Sequence, residues 1–213
     1  MALPFESRAD IAARFDGRAG KYDQSAMHRG LAAAVAEAVG RSQRHPLDVL
    51  DVATGTGLVL RALAALPASD DLRMTGIDIS DGMLAVARAE LPSARFINSD
   101  AAALPFEDAS FDLVTCVTAL HLLPNASAAL REWRRVLRPD GRIVTATFSV
   151  APGQNSAGHG TTEIERHARF GSRDALESFA ASADLRLGAV QFWTAPPAAE
   201  HHDECLIAEF LHV

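Results

Sequence analysis

Several features that mark common classes of protein are scarce or missing in this 213-residue chain. Its two cysteines, Cys116 and Cys205, lie far apart and outside any CxxC or metal-ligand spacing, and Cys116 within its apolar run is interpreted as a buried reduced thiol. There is no basic run, and 20 Lys and Arg against 27 Asp and Glu give a net charge of −7. This balance argues against nucleic acid or an anionic membrane as the main partner.

Segments that would export or anchor the chain are also missing. Residues 1–15 carry charges where a signal peptide needs an apolar stretch, and no apolar run is long enough to span a bilayer. We therefore expect a soluble, cytoplasmic protein with no membrane partner. No metal site is predicted either, because the adjacent side chains of 201–205 diverge in an extended segment, which indicates a solvated loop.

From residue 47 onward, short apolar runs alternate with helical patterns. Strands are predicted at 47–52, 72–79, 94–98, 111–118 and 141–148, and helices at 57–66, 81–91 and 126–137. Ser80 or Asp81 is expected to cap the second of these helices, and Pro139, Asp140 and Gly141 are expected to form a turn. Continuous apolar strands that alternate with amphipathic helices indicate a doubly wound, Rossmann-like α/β fold with helices on both faces of a mostly parallel sheet.

The two ends of the chain depart from this alternation. Residues 7–40 predict two helices joined by a segment that holds Gly20, Tyr22 and Asp23. Near the other end a helix at 172–183 precedes two strands, 185–193 and 205–213, expected to pair antiparallel and complete a seven-stranded sheet; loops are expected at 151–160 and 194–204. We predict one domain overall, with an N-terminal helical lid or acceptor segment at 1–46 and the core at 47–213.

The stretch VLDVATGTGLVL, residues 49–60, joins the first strand to the first core helix through a glycine turn. Gly55 and Gly57 lack a Cβ, and the helix that follows points free N–H groups at the same place, so a ligand can approach the backbone closely. The third glycine of a dinucleotide motif is replaced by Leu60, and GK[ST] is missing, which argues against a nicotinamide cofactor and a nucleoside triphosphate.

Three aspartates lie at or just after the carboxyl ends of successive predicted strands, at what would be one edge of the sheet. Asp51 precedes the glycine turn, where a carboxylate repels a pyrophosphate but suits an ammonium and a sulfonium. Asp78 ends the second strand and can accept both hydroxyls of a ribose. Asp100 follows the third strand and can accept from the amine of adenine. Together they describe a nucleoside with a cationic amino-acid tail.

The order of these motifs resembles the class I S-adenosylmethionine-dependent methyltransferases, in the small-molecule group of the ubiquinone/menaquinone-biosynthesis type. The matching stretches are VLDVATGTG, GIDISDGMLAVAR, NSDAAALPFEDASFDLVTCVTALHLL and LREWRRVLRPDGRIVTATF, which cover roughly 47–148. RFDGRAGKYD near the start resembles the segment that closes over the cofactor in that group. A departure is Ala53, where the family more often has a glycine.

The resemblance implies a role for each matching residue in binding S-adenosylmethionine and its product S-adenosylhomocysteine. Residues of the turn would hold the methionine part, Tyr22 its carboxylate, and Thr118 would line the sulfonium side. Asp78 would hold the ribose, Met83 would pack on the adenine face, and Asp100 with the Ala101 backbone would read the adenine edge. The implied cofactor-binding set is Tyr22, Asp51, Ala53, Thr54, Gly55, Gly57, Asp78, Ile79, Met83, Asp100, Ala101 and Thr118.

Several of these residues also have a purely structural explanation. The glycines fit an ordinary strand–helix turn, Asp78 a helix cap, Asp100 a turn, and Met83 and Tyr22 core packing. His121 follows the fourth strand and is a candidate general base, although a packing histidine is favoured. His159 and His167 in the predicted acceptor segment have no identifiable partner in the sequence.

Methyl transfer from a sulfonium is an in-line displacement, so alignment and exclusion of water are the main requirements. The acceptor is expected between the N-terminal helices, residues 149–171 and the 194–204 loop, in a pocket with an apolar lining from Phe15, Phe148, Phe170 and Trp193. This lining has few charges, which favours a neutral, hydrophobic or amphipathic small molecule. The alternatives are another reaction of the same cofactor, such as cyclisation, and a regulatory protein that binds the cofactor without turnover.

Overall fold

Seven strands form one sheet in the order β3-β2-β1-β4-β5-β7-β6. The computed structural model describes residues 6–41, 48–67, 69, 71–149, 161–195 and 204–213, and only the backbone of 161–164. The strands are β1 Asp48–Val52, β2 Arg73–Asp78, β3 Arg95–Asn98, β4 Phe111–Val117, β5 Leu137–Phe148, β6 Leu185–Thr194 and β7 Glu204–His212. β1 to β5 pair in parallel, while β7 is antiparallel to both β5 and β6. The predicted fold class is confirmed.

Helices cover both faces of this sheet. They are α1 Arg8–Asp16, α2 Ala19–Tyr22, α3 Ala26–Gly40, α4 Leu58–Ala64, α5 Asp81–Glu90, α6 Ala126–Val136, α7 Thr161–Ala168 and α8 Arg173–Ala181, with a 3₁₀ turn at Leu120–Leu122. In β1, Leu50 packs in the cluster with α6 and α8, whereas Val49 packs in the cluster with α3, α4 and α5. This alternation is the two-residue period of a strand whose two faces are both buried.

Several element boundaries depend on single polar residues. The side chain of Ser80 accepts a hydrogen bond from the Met83 N–H, so Ser80 is the N-cap of α5. Asn125 caps α6 in the same way, through the Ala128 N–H. In the described part of the chain, no helix combines the length and apolar character needed to cross a membrane.

The start of β5 differs from the sequence prediction. Leu137 pairs with Phe111 and Arg142 with Leu113, so β5 advances five residues while β4 advances two. The expected turn at residues 139–141 is therefore a bulge of three extra residues within a strand that begins at Leu137. Gly141 is needed there because a Cβ would lie 2.9 Å from the carbonyl oxygen of Asp112.

Two helices were not predicted. The segment expected to join the N-terminal helices contains α2, so Tyr22 lies on a short helix. α7 begins in the segment for which the sequence predicted only an acceptor region. The predicted loop at 151–160 and most of the one at 194–204 lie outside the described residues.

Candidate functional site

A cavity of about 230 Å³ lies where β1, β2 and β4 end. Its wall combines the glycine turn after β1, the end of β2, the segment after β3, the end of β4 and the N-terminal helices. It brings together nine of the twelve predicted cofactor-binding residues: Tyr22, Ala53, Gly55, Asp78, Ile79, Met83, Asp100, Ala101 and Thr118. The predicted convergence at one edge of the sheet is therefore present, although Asp51, Thr54 and Gly57 do not line the cavity.

The turn after β1 takes left-handed backbone conformations at three positions. The φ angles are 54° at Ala53, 56° at Gly55 and 79° at Gly57. Glycine adopts this conformation without strain, whereas alanine loses about 1 kcal/mol. Ala53, the departure from the family pattern, thus adopts the conformation that a glycine would favour. Gly57 is the N-cap of α4, and a Cβ there would lie 3.4 Å from Ala87 on α5, so this glycine serves the packing of two helices.

Asp78 joins the end of β2 to the glycine turn. Its carboxylate accepts hydrogen bonds from the N–H of Gly55 at 2.8 Å and of Ser80 at 2.9 Å. Burial raises the pKa of this carboxyl, and the backbone donors oppose that effect. Because Ser80 caps α5, capping does not explain Asp78; its carboxylate fixes the turn and lies in the cavity wall.

Asp51 lies beneath the turn instead of in the cavity wall. It is 2% exposed, and its two carboxylate oxygens accept hydrogen bonds from the hydroxyls of Thr54 and Thr115, both at 2.6 Å. Burial raises the pKa of Asp51 to about 6, against the lowering effect of the two hydroxyl donors. In this arrangement Asp51 supports the turn from below and is not one of the lining residues, and its contact with a cationic ligand stays a prediction.

The segment after β3 presents Asp100 and Ala101 to the cavity. Asp100 accepts hydrogen bonds from the Ala102 N–H at 3.0 Å and from Arg8 at 2.9 Å. The Ala101 carbonyl accepts from the fully buried indole N–H of Trp133 at 2.9 Å. Trp133 was not predicted as part of the site from the sequence, although the indole N–H of a buried tryptophan needs such an acceptor. Met83 is 1% exposed and lies in the wall, so it serves both the core and the cavity.

Thr118 and Tyr22 meet at the end of β4. Thr118 has a φ of 53°, a strained conformation for a β-branched residue, and its N–H donates to the Ala146 carbonyl. Its side chain is hydrogen-bonded to the phenol of Tyr22, and burial, the largest influence, raises the pKa of Tyr22 to about 12. The Tyr22 ring lies over Gly55, since a Cβ there would be 4.0 Å from Cε1 of the ring. Tyr22 therefore closes the cavity over the turn as a neutral phenol.

The N-terminal segment is attached to the core by two carboxylates, which the sequence did not reveal. Asp16 accepts from the Ser80 hydroxyl at 2.5 Å and the Gly82 N–H at 2.8 Å, and these donors hold the pKa of Asp16 below its ordinary value. Asp23 accepts from the Thr56 hydroxyl and pairs with Arg61 at 2.5 Å. Tyr22 and α2 lie between these two attachments.

His121 lies on the 3₁₀ turn beside the cavity but is not one of its lining residues. Its ring contacts that of His167 with a centroid distance of 4.2 Å, and His167 stacks on Phe148 at 4.7 Å. His167, for which the sequence offered no partner, is thus part of a three-ring cluster. No group of three or more potential metal ligands occurs among the described residues, which exclude residues 201–203.

The four aromatic residues expected around the acceptor are dispersed. Phe15 lines the cavity, where Ile11, Leu122 and Leu123 are also found. Phe170 is 2% exposed and belongs to the core beside α8. Phe148 packs in the histidine cluster, and Trp193 lies on β6 against the opposite core.

Comparison with known proteins agrees with this geometry. Residues 50–145 match the family model described as a methyltransferase domain. These residues form a class I S-adenosylmethionine-dependent methyltransferase domain. The donor that this family implies is S-adenosylmethionine.

A relative of this methyltransferase domain is the demethylmenaquinone methyltransferase of Beutenbergia cavernae, 38% identical over 149 residues, or 67% of this chain and 60% of the relative. The chain thus spans about 60% of the length of that curated relative. A solved S-adenosylmethionine-dependent methyltransferase of Thermotoga maritima aligns with a TM-score of 0.72 at 20% identity over 97% of this chain and all of the other. A [4+2]-cyclase aligns with a TM-score of 0.70 at 16% identity over 100% of this chain and 99% of its own. At these identities, each of the two structures shows only that the chain has the same fold.

Proposed function

We propose that the protein transfers a methyl group from S-adenosylmethionine to a small, neutral aromatic acceptor that carries a hydroxyl group. The observation that supports this most directly is the cavity, in which Asp78, Asp100 and the bare backbone of Gly55 lie along one edge of the sheet. Carboxylates at two neighbouring strand ends suit the ribose hydroxyls and the adenine amine of the cofactor.

The residues present fit this cofactor from one end to the other. Asp78 would accept from the ribose hydroxyls, Met83 and Ile79 would contact the adenine faces, and Asp100 with Ala101 would meet its edge. The methionine part would lie over Gly55 and under Tyr22, with Asp51 acting through the turn that it supports. When bound, S-adenosylmethionine supplies a methyl group already activated by the positive charge on sulfur.

The protein then has to align the reactants and keep water out. Residues 1–46 would act as the lid on the core at 47–213, since α1 and α2 contribute Ile11, Phe15 and Tyr22 to the cavity wall. The attachments at Asp16 and Asp23 hold this lid in the closed position. Alignment of this kind can supply much of the rate enhancement of a displacement reaction.

The acceptor side of the cavity is apolar. Its charged lining residues, Arg8, Asp78 and Asp100, belong to the part assigned to the nucleoside, whereas the rest of the mouth includes Leu122, Leu123 and Pro124. This composition suits a neutral ring, and the reduced, hydroquinone form of the demethylmenaquinone in the name of the relative from Beutenbergia cavernae would be such a ring with hydroxyl groups. A phenolic acceptor has to lose a proton, and the base that we propose is His121 beside the mouth, whose ring would have to turn from His167 toward the cavity to reach the acceptor.

Transfer of labelled methyl to 1,4-naphthohydroquinone and related phenols tests this proposal. We expect a methylated product from the wild-type protein, and weaker binding of S-adenosylhomocysteine by Asp78→Ala, by roughly 1–3 kcal/mol, because charge-assisted hydrogen bonds are lost. Asp174→Ala, at an exposed carboxylate on α8, is the matched control and should bind normally. Unchanged affinity in Asp78→Ala would remove that residue from the site.

The same experiment distinguishes the proposed function from two alternatives. The structural similarity to a [4+2]-cyclase shows that this fold also serves other reactions, so a product without added methyl would favour different chemistry. Tight binding of the cofactor without any product, across a panel of phenols and cell-extract metabolites, would favour a regulatory binder. A cytoplasmic location and the absence of a nucleic-acid partner are part of the proposal.

A further inference from the structure

Arg8 reaches across the mouth of the cavity from the first turn of α1. Its Nη1 atom lies 2.9 Å from Oδ2 of Asp100, and both residues line the cavity. The side chain of Arg8 is 58% exposed, and that of Asp100 is 31% exposed. The pair thus lies at the solvent side of the region assigned to adenine, and the Arg8 side chain lines that region.

Both oxygens of Asp100 already have donors. The Ala102 N–H donates to Oδ1 at 3.0 Å, and Arg8 donates to Oδ2. The first bond belongs to the turn after β3 and cannot be lost without changing the backbone. Although Oδ2 has a second lone pair, the guanidinium beside it neutralises the carboxylate and fills the adjacent space. An adenine amine that approaches Asp100 therefore meets Arg8.

The two ends of α1 are held with unequal strength. At its C-terminal end, Asp16 accepts two hydrogen bonds from the first turn of α5, and a Cβ on Gly82 would lie 3.0 Å from Oδ1 of Asp16. At its N-terminal end the attachment is the exposed Arg8–Asp100 pair. An exposed ion pair contributes little and is screened by salt, whereas the two hydrogen bonds that Asp16 accepts come from uncharged donors and depend less on salt. The N-terminal end is the one that can open first.

We propose that Arg8 competes with the adenine ring for Asp100 and so sets the affinity for the cofactor. Entry of adenine displaces the guanidinium from Oδ2 and releases the N-terminal end of α1. This inference rests on the proposed function, because it requires that an adenosyl ligand occupies the cavity. It predicts that removing a cavity-lining cation strengthens the binding of the ligand, the opposite of what a cofactor-contacting arginine would show.

Calorimetry with S-adenosylhomocysteine tests the competition. We expect Arg8→Gln to bind about two- to fivefold more tightly than wild type, the range that an exposed ion pair supports. Raising NaCl from about 0.02 M to about 0.3 M should tighten binding by the wild type, because the ion pair is screened, and should leave Arg8→Gln unaffected. Arg14→Gln removes a cation from the same helix, paired with Glu6 at 2.9 Å, and should behave as wild type.

A second comparison separates the loss of the Arg8–Asp100 ion pair from other effects of Arg8→Gln. In an Asp100→Ala background, Arg8→Gln should cause no further change in affinity, because the shared acceptor is gone. Weaker or equal binding by Arg8→Gln alone would overturn the proposal, as would tightening that persists without Asp100. Absence of any heat with the wild-type protein would instead contradict the proposed function.

Discussion

Asp51 is the buried carboxyl group whose ionisation is expected to leave a measurable trace in stability. It lies under the glycine turn, hydrogen-bonded to Thr54 and Thr115, and its pKa is about 6 in the folded protein against 3.8 ordinarily. Between these two values the folded state binds a proton that the unfolded state has lost. The contribution of Asp51 to the free energy of unfolding therefore falls as pH rises from about 4 to about 6.

The size of this effect follows from the two pKa values. A difference of about two pH units, at about 1.4 kcal/mol for each, gives a loss of about 3 kcal/mol above pH 6. Asp51→Asn removes the ionisation while it keeps an oxygen that can accept from one threonine hydroxyl. The free energy of unfolding of the variant, minus that of wild type, should therefore increase by about 3 kcal/mol as pH rises from 4 to 7.5.

Urea unfolding of both proteins across this pH range measures the difference. Asp48→Asn, at the other end of β1, is a control that should not respond to pH in this range, because hydrogen bonding to Arg73 lowers the pKa of Asp48. The stabilisation from Asp48 is present above its ordinary pKa and is lost only as pH falls through the lowered pKa, so the difference between Asp48→Asn and wild type should stay nearly constant from pH 4 to pH 7.5. A difference between Asp51→Asn and wild type that does not change with pH would refute the burial of an ionisable carboxyl at this position.

Three further substitutions probe the backbone and the wall of the cavity. Ala53→Gly should raise the free energy of unfolding by about 0.5–1 kcal/mol, because glycine adopts the positive φ at this position without strain. Ala85→Gly on the exposed face of α5 is the control and should lower it by about 1 kcal/mol. Changes of the same sign for both variants in thermal unfolding would contradict this. Gly76→Ala should destabilise by roughly 1–3 kcal/mol, because its Cβ would lie 2.8 Å from an aromatic ring, and an unchanged midpoint in urea would show that the ring yields freely. Trp133→Phe leaves the Ala101 carbonyl without its donor and should cost about 1–3 kcal/mol of stability and weaken binding of S-adenosylhomocysteine; normal calorimetric affinity would separate Ala101 from the adenine site.

The sequence was sufficient for the features that repeat along the chain or follow a strand end. Val49, Leu50 and Val52 are apolar because β1 is buried on both faces, and this pattern identifies a covered parallel strand. Asp78 and Asp100 could be placed at one edge since the carboxyl ends of parallel strands share that edge. Of the nine predicted cofactor residues that meet there, all except Tyr22 lie at or after a strand end in the sequence.

Contacts between distant segments could not be read in the same way. Asp51 is buried because Thr115, 64 residues later, supplies a hydroxyl to it, and nothing near Asp51 in the sequence indicates this partner. The attachment of Asp16 to Ser80 and Gly82 also joins parts of the chain that only the fold brings together. The histidine cluster required α7 to pack against the turn after β4. Each of these contacts is determined by tertiary packing.

The position of β7 between β5 and β6 has a consequence for the order in which the sheet assembles. β6 precedes β7 in the chain but has β7 as its neighbour in the sheet, so β6 cannot join the sheet until β7 has paired with β5. During synthesis β6 and α8 would emerge from the ribosome before the strand that receives them. The pairing of β7 with β5 is thus late and joins segments that are distant in the chain, and we expect it to limit the refolding rate.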